Sequence, residues 1–148
     1  MRDTRTDTPF WMLRLTYGLV PIVAGLDKFT NFLTDWTQYL SPYAERFLPV
    51  SGQQFMYAVG VIEIIAGLLV LSRFYRFGAY LVSAWLVGIA INLVTTGQYY
   101  DIAVRDLVMA VGAFALAKLA EARAEANVRA PARRYQEDEL GRTVPVPT

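Results

Sequence analysis

Two residue types are missing altogether, since the chain contains neither cysteine nor histidine. Without cysteine there are no disulfides, no thiol redox chemistry, no thiolate zinc sites and no cysteine-held iron–sulfur clusters. Without histidine the usual haem ligand, imidazole metal ligand and proton shuttle are gone as well. No glycine-rich phosphate loop and no nucleophile elbow appears, and Ser72 and Ser83 have no histidine to activate them. A conventional redox centre is therefore beyond this chain alone, and no cofactor held covalently or by His or Cys is expected. An excess of one charge is lacking too. Fourteen Lys and Arg face thirteen Asp and Glu, for a net +1, and the basic residues form no stripe, which argues against nucleic acid as a partner.

Apolar residues are abundant instead. They make up 55% of 148 residues, and the mean hydropathy is +0.31, which places the chain in the membrane class. Four segments have roughly the 20 residues needed to cross a bilayer. They run from Pro9 to Asp27, Gln54 to Leu71, Phe77 to Thr96 and Asp101 to Leu119. The expected fold is an all-α membrane protein, a four-helix transmembrane bundle of residues 9–120. It is preceded by a short N-terminus (1–8) and followed by a charged tail (121–148). Residues 1–27 do not read as a cleaved leader, because Arg14 interrupts the apolar stretch and no A-x-A-like site follows. Pro21 predicts a kink in the first span, and Pro131 predicts the end of any helix continuing past the fourth.

Arginine and lysine set the expected orientation. Arg2, Arg5, Arg14, Arg73, Arg76, Lys118, Arg123, Arg129, Arg133, Arg134 and Arg142 fall on one side, against Lys28, Arg46 and Arg105 on the other. Both termini are then cytoplasmic, in a bacterial-type inner membrane. The loop from Phe29 to Gly52 carries Phe29, Phe32, Trp36, Tyr39, Tyr43, Phe47 and Leu48 at helical spacing. It reads as one or two short amphipathic helices in the outer interface, broken near Pro42. Either an aromatic anchoring belt or a lid over a site fits that pattern.

Glu63 is the chemically loaded residue. It lies about 14 Å along the second span from Gln54, near the middle of the hydrocarbon core. An uncompensated charge there costs at least about 2.5–3.5 kcal/mol. Gly60, Gly67 and Ala66 share its helix face, and small residues mark the side where helices approach closely. Further small-residue stripes run through Ala84, Gly88 and Asn92, through Ala103, Asp106, Ala110, Ala113 and Ala117, and through Gly18, Pro21, Gly25 and Lys28. The candidate intramembrane polar site is thus Lys28, Glu63, Asn92, Arg105, Asp106 and Asp27, with Lys28 or Arg105 reaching Glu63 along a flexible stem. It is either a register-fixing ion-pair network or a polar cavity. No metal is expected, because nothing in the spacing of Asp27, Glu63 and Asp106 demands one and two bases lie close by.

Three short motifs in order, AGLDKF closing the first span, EIIAG in the second and VRDLVMAVGAFALA opening the fourth, resemble the DoxX-like family of small four-helix membrane proteins. The resemblance covers roughly residues 10–120. It implies a subunit of a membrane redox assembly, with Lys28, Glu63, Arg105 and Asp106 in the family-like polar positions and a quinone as the candidate cofactor. The implied partners are the lipid bilayer and other membrane subunits or further copies of the chain. Two alternatives stay open: a small solute or proton transporter using the Glu/Lys site, and a purely structural assembly subunit. Autonomous enzyme activity is not expected.

Overall fold

The computed structural model describes residues 6–47 and 49–143, with side chains in the last helix described as far as Arg129 and again at Glu139. Arg2, Arg5, Leu48, the side chains of Arg133, Arg134 and Arg142, and residues 144–148 lie outside that description. The described chain forms α1 (Asp7–Asp27), a 3-10 turn (Trp36–Tyr39), α2 (Pro42–Phe47), α3 (Gly52–Leu71), α4 (Tyr75–Thr95) and α5 (Tyr100–Thr143). No strand occurs among the described residues. The count is five helices rather than four, because the interfacial segment contributes α2, with Pro42 at its first position, where a missing N–H costs nothing.

Helices α1, α3 and α4 are long and apolar enough to cross a membrane. By the same measure α5 is not among them, since its apolar stretch carries Arg105, Asp106 and Lys118. Exposed Leu19, Val23, Ile91, Val108 and Val111 cover the outside of the helices, a surface suited to lipid rather than water. The 3-10 turn and α2, with Tyr43 and Phe47 outward, complete the apolar exterior at one end.

Two tight antiparallel pairs make up the fold, α1 with α3 and α4 with α5. They join mainly through α3 and α4, and only slightly through α1 and α5. The α1–α3 pair rests on glycines. A Cβ at Gly25 would meet the Gly60 carbonyl oxygen at 2.5 Å, and one at Gly60 would meet that of Gly25 at 2.6 Å. Seven residues along each helix, a Cβ at Gly67 would strike the carbonyl of Gly18. Close approach of this kind lets backbones pack where lipid offers no hydrophobic drive. In the α4–α5 pair, buried Ala103, Ala110, Ala113 and Ala117 of α5 receive Val82, Ala90 and Leu93 of α4. Ser83 adds a hydrogen bond to the carbonyl of Ala110 (2.9 Å).

Two expectations are corrected. The Ala84–Gly88 face of α4 points outward, and nothing lies within 4 Å of a Cβ built on Gly88. The small side chains of this pair come from α5, so α4 turns its bulkier face inward. Nor does Pro131 end the last helix, which continues to Thr143. A proline removes one backbone hydrogen bond, but the flanking Ala, Arg, Glu and Leu are strong helix formers. Pro21 likewise lies within an unbroken α1.

The end holding the N-terminus and the α3–α4 link is clamped by Arg14. Its guanidinium donates to the carbonyls of Val70 (3.0 Å), Leu71 (2.8 Å) and Ser72 (2.8 Å), the free acceptors at the C-terminus of α3. The rings of Trp11 and Tyr75 flank it at 5.0 and 4.6 Å. Beside it Arg123 of α5 pairs with Asp7 at 2.5 Å and bonds Thr6 at 3.0 Å. The opposite end holds the loop and the candidate site.

Candidate functional site

Lys28 and Glu63 meet. The Lys28 ammonium donates to Glu63 Oε2 at 2.6 Å, and their side chains are only 4% and 8% exposed. The sequence dictates this meeting through the glycine register. Gly25 packs on Gly60, and Lys28 and Glu63 each lie three residues farther along their own helices, in opposite directions, where a lysine stem spans the gap. A charge pair so completely withdrawn from water is tolerated only with close geometry and further partners.

Trp36 supplies the roof. Its ring lies 3.7 Å from the Lys28 nitrogen, a cation–π contact of desolvated type. Its indole N–H donates to Asp27 Oδ2 at 2.8 Å. The Asp27 carboxylate also accepts from the backbone N–H groups of Phe32 and Leu33 (both 3.1 Å) and from the Thr30 hydroxyl (3.2 Å). Asp27 therefore folds the loop and aims Trp36 at its neighbour Lys28. Gln53 closes the side by donating to the Lys28 carbonyl (3.1 Å) while accepting from Asn31 (2.9 Å). Asp35 N-caps the 3-10 turn, and hydrogen bonds from the Thr37 hydroxyl and N–H hold its carboxyl below the usual carboxylate range.

Asp106 projects from α5 toward the pair. It is 8% exposed and within electrostatic reach of Glu63 and Lys28. No hydrogen bond or ion pair engages it among the described residues. Trp85 of α4 turns its indole N–H toward the Glu63 carboxylate, at a reach outside ordinary hydrogen-bond geometry, and it is the one fully buried side-chain polar atom among the described residues left without a close partner.

The remaining expected members sit elsewhere. Arg105 points outward, is 73% exposed and pairs with Asp101 at 3.5 Å. Adjacent residues lie about 100° apart on a helix, so the turn that buries Asp106 exposes Arg105. Asn92 does not reach Glu63 either. Its amide accepts from the N–H of Ser41 (3.1 Å) and donates to the carbonyl of Tyr39 (2.7 Å), which fastens the loop to α4. The sequence marks Trp36 only as one of the loop aromatics, belt or lid, and does not mark Trp85 at all. Their aromatic spacing suits a belt, and only the docking of the loop on α3 and α4, around buried Leu40, Met56 and Val59, brings them to the pair.

Two shallow surface grooves include neither Lys28 nor Glu63 in their lining. One, of about 460 Å³, is lined by Val23, Leu26, Asp27, Thr30, Phe32 and Leu33. The other, of about 340 Å³, lies between Arg76 and the α5 segment from Glu121 to Arg129. The pair is occluded. Among the described residues no group of carboxylates is arranged to hold a metal ion.

Helices long and apolar enough to span a bilayer, packed around an occluded ion pair, define a helical membrane protein with a buried polar centre. The chain belongs to the DoxX family, whose model matches residues 10–96. The match closes at the end of α4, so the Arg105–Asp106 element lies beyond it. No curated protein and no solved structure matches the chain.

Proposed function

We propose that this DoxX-family chain is a subunit of a membrane redox assembly. In this reading its Lys28–Glu63–Asp106 centre receives the polar end of a lipid-soluble molecule such as a quinone. Asp106 carries the reading. A structural clamp needs one cation and one anion, and Lys28 and Glu63 already complete it. A second buried carboxylate without a hydrogen-bond partner adds cost and no register, which is the usual mark of an intramembrane functional group.

The donors present suit such a molecule. A quinone carbonyl needs an N–H, and in this reading the Trp85 indole, turned toward Glu63 without closing an ordinary hydrogen bond, supplies it. A bound quinone would supply electron transfer, and the chain's residues would orient it and keep water out. In this reading α5 crosses the bilayer as a fourth span, with its charges facing the centre or lying near the two surfaces. Both termini are cytoplasmic in a bacterial-type inner membrane, in keeping with the arginine and lysine distribution. The aromatic loop and the α5 extension are the docking surfaces for neighbouring subunits.

Purification in mild detergent tests the proposal, with quantification of co-purifying proteins and extracted quinone. The expected result is a redox partner or near-stoichiometric quinone, lost in Asp106→Asn and Glu63→Gln variants that still fold. A quinone-free, partner-free protein that retains full activity in cells refutes it.

A further inference from the structure

Arg76 stands in the first turn of α4, a helix long and apolar enough to cross a bilayer. Its guanidinium therefore lies where hydrocarbon gives way to headgroups. It is exposed, and among the described residues it makes no hydrogen bond, ion pair or ring contact. One turn on, Tyr80 shares its face of α4 and links that face to α5. The Tyr80 ring meets that of Phe114 at 5.8 Å, and its hydroxyl donates to Glu121 at 2.8 Å. Phe114, Glu121, Glu125 and Val128 recur at helical spacing, so they carry the same face along α5. Its character changes along the way. Phe77 and Phe114 are exposed apolar rings, Tyr80 and Lys118 follow, and the segment from Glu121 to Arg129 brings charges of both signs. Acyl chain, interface and headgroup call for that order.

The groove of about 340 Å³ lies at the polar end of this face. It is lined by Arg76 and Arg129, by Glu121 and Glu125, and by Ala124 and Val128. These charges are not equally available. Glu121 already accepts from Tyr80 and from Lys118 (2.9 Å). Glu125 meets Arg129 only at 3.7 Å, with the two side chains 67% and 81% exposed, a pairing worth little. A free guanidinium on α4 thus shares the groove with a loosely held carboxylate on α5. Glu121 and Glu125 are one turn apart, about 6 Å, and the headgroup layer is about 5–7 Å deep on each side of a bilayer. With Arg76 at its border, the groove falls within that layer.

An anion alone satisfies Arg76 and is repelled by Glu125, and a cation alone meets the reverse. The complement is a group with both charges a few atoms apart, and in a bilayer that is a zwitterionic phospholipid head. Its phosphate suits the guanidinium fork. An ethanolamine ammonium has N–H groups for Glu125, whereas choline carries the charge without a proton to donate.

We infer that the Arg76–Glu125 groove seats the head of a phosphatidylethanolamine-type lipid, phosphate on Arg76 and ammonium on Glu125, with its chains along Phe77 and Phe114. The site is separate from the Lys28–Glu63 centre and independent of what that centre receives. It leaves α5 beyond Arg129 to neighbouring subunits.

Native mass spectrometry of the full chain in detergent tests the site, with dioleoyl phosphatidylethanolamine, phosphatidylcholine and phosphatidylglycerol added singly at equal concentration. The ethanolamine lipid is expected to be retained at least about tenfold more than either of the others, the weight of one hydrogen bond to a charged group. Glu125→Gln is expected to bring it down to the choline lipid, and Arg76→Gln to lower both. Both positions are exposed, so the variants should fold. Arg73→Gln, which removes a cation of the same α3–α4 link outside the groove, is expected to leave the preference intact. Equal retention of the ethanolamine and choline lipids in the unmutated chain overturns the assignment. So does strongest retention of the glycerol lipid, the behaviour of a plain anion site. A preference that survives Glu125→Gln, or that Arg73→Gln removes as fully as Arg76→Gln, overturns it as well. A dimer that replaces lipid binding and dissociates in Arg76→Gln also overturns it, because the occupant is then a second copy of the chain.

Discussion

Arg14 and Lys28 stand two heptads apart on one side of α1, and each reaches across to α3. Arg14 ends on three main-chain carbonyls at the helix terminus, groups that neither titrate nor move. Lys28 ends on the carboxylate of Glu63, under an indole roof and near a second carboxylate. A planar, permanently charged fork suits the fixed job at one end, and a compact ammonium on a flexible stem suits the exchangeable one. The same pair of helices is thus bolted to main-chain carbonyls at one end and joined by a charge pair at the other, which is the working end in the proposed reading. Burial alone does not separate a structural charge from a functional one; what the charge is paired with does.

That contrast can be broken or sharpened by mutation. The largest effect is expected from Gly60→Val, which removes the close approach on which both cations depend. A side chain there meets the Gly25 backbone, which cannot yield as a side-chain tip can, so the loss should exceed about 5 kcal/mol, and little folded protein should survive extraction and size-exclusion chromatography. Next comes the pair itself. Lys28→Met strands Glu63, and Glu63→Gln leaves Lys28 without its countercharge. Each should cost about 3–5 kcal/mol, while the double variant recovers most of it in detergent melts. A double variant as unstable as the sum of the singles would sink the pairing.

Arg14→Leu is expected to cost about 2 kcal/mol from lost charged hydrogen bonds, with bound quinone unchanged, so a drop in quinone content at equal folding would merge the two ends. Asp106→Asn should leave the melting temperature level or slightly raised while abolishing quinone retention. The smallest effect is expected at the edge of the roof. The folded Asp35 carboxyl is held below its ordinary range, so its support for the turn carrying Trp36 is present above about pH 4 and lost as pH falls through the lowered value. Hydrogen exchange at the Thr37 amide should speed up there, and Asp35→Asn should remove the pH dependence.

How far the molecule could be read in advance follows the same division. Gly60, Gly67 and Glu63 lie on one face by period alone, and Gly25 and Lys28 do likewise, so the pair was legible. The first three spans begin and end within about two residues of their helices, ordinary scatter for such boundaries, whereas the fourth starts one residue from α5, which runs on to Thr143. Arg105 was misplaced because a long stem was allowed to reach inward, although the alanine register already put its neighbour Asp106 on that face. Asn92 belongs to the expected polar set by its stripe alone, yet its amide serves the loop backbone instead, and where the loop docks is a tertiary fact. Trp36 was legible only as a loop aromatic, belt or lid, and Trp85 not at all, for that same reason. Pro131 misled because one lost hydrogen bond was weighed above a run of good helix formers.

The glycine contacts also restrict how the molecule can move. With Gly25 on Gly60 and Gly18 on Gly67, sliding α1 along α3 by one turn brings a side chain against a carbonyl. The next register that seats a glycine on a glycine is about 10.5 Å away, a full heptad, which is too far for a working stroke. A small ratchet between these two helices is therefore forbidden, and the Lys28–Glu63 pair travels as a rigid unit. Motion that opens the centre falls to α5 and to the loop, the two parts that no glycine-on-glycine contact locks to α1.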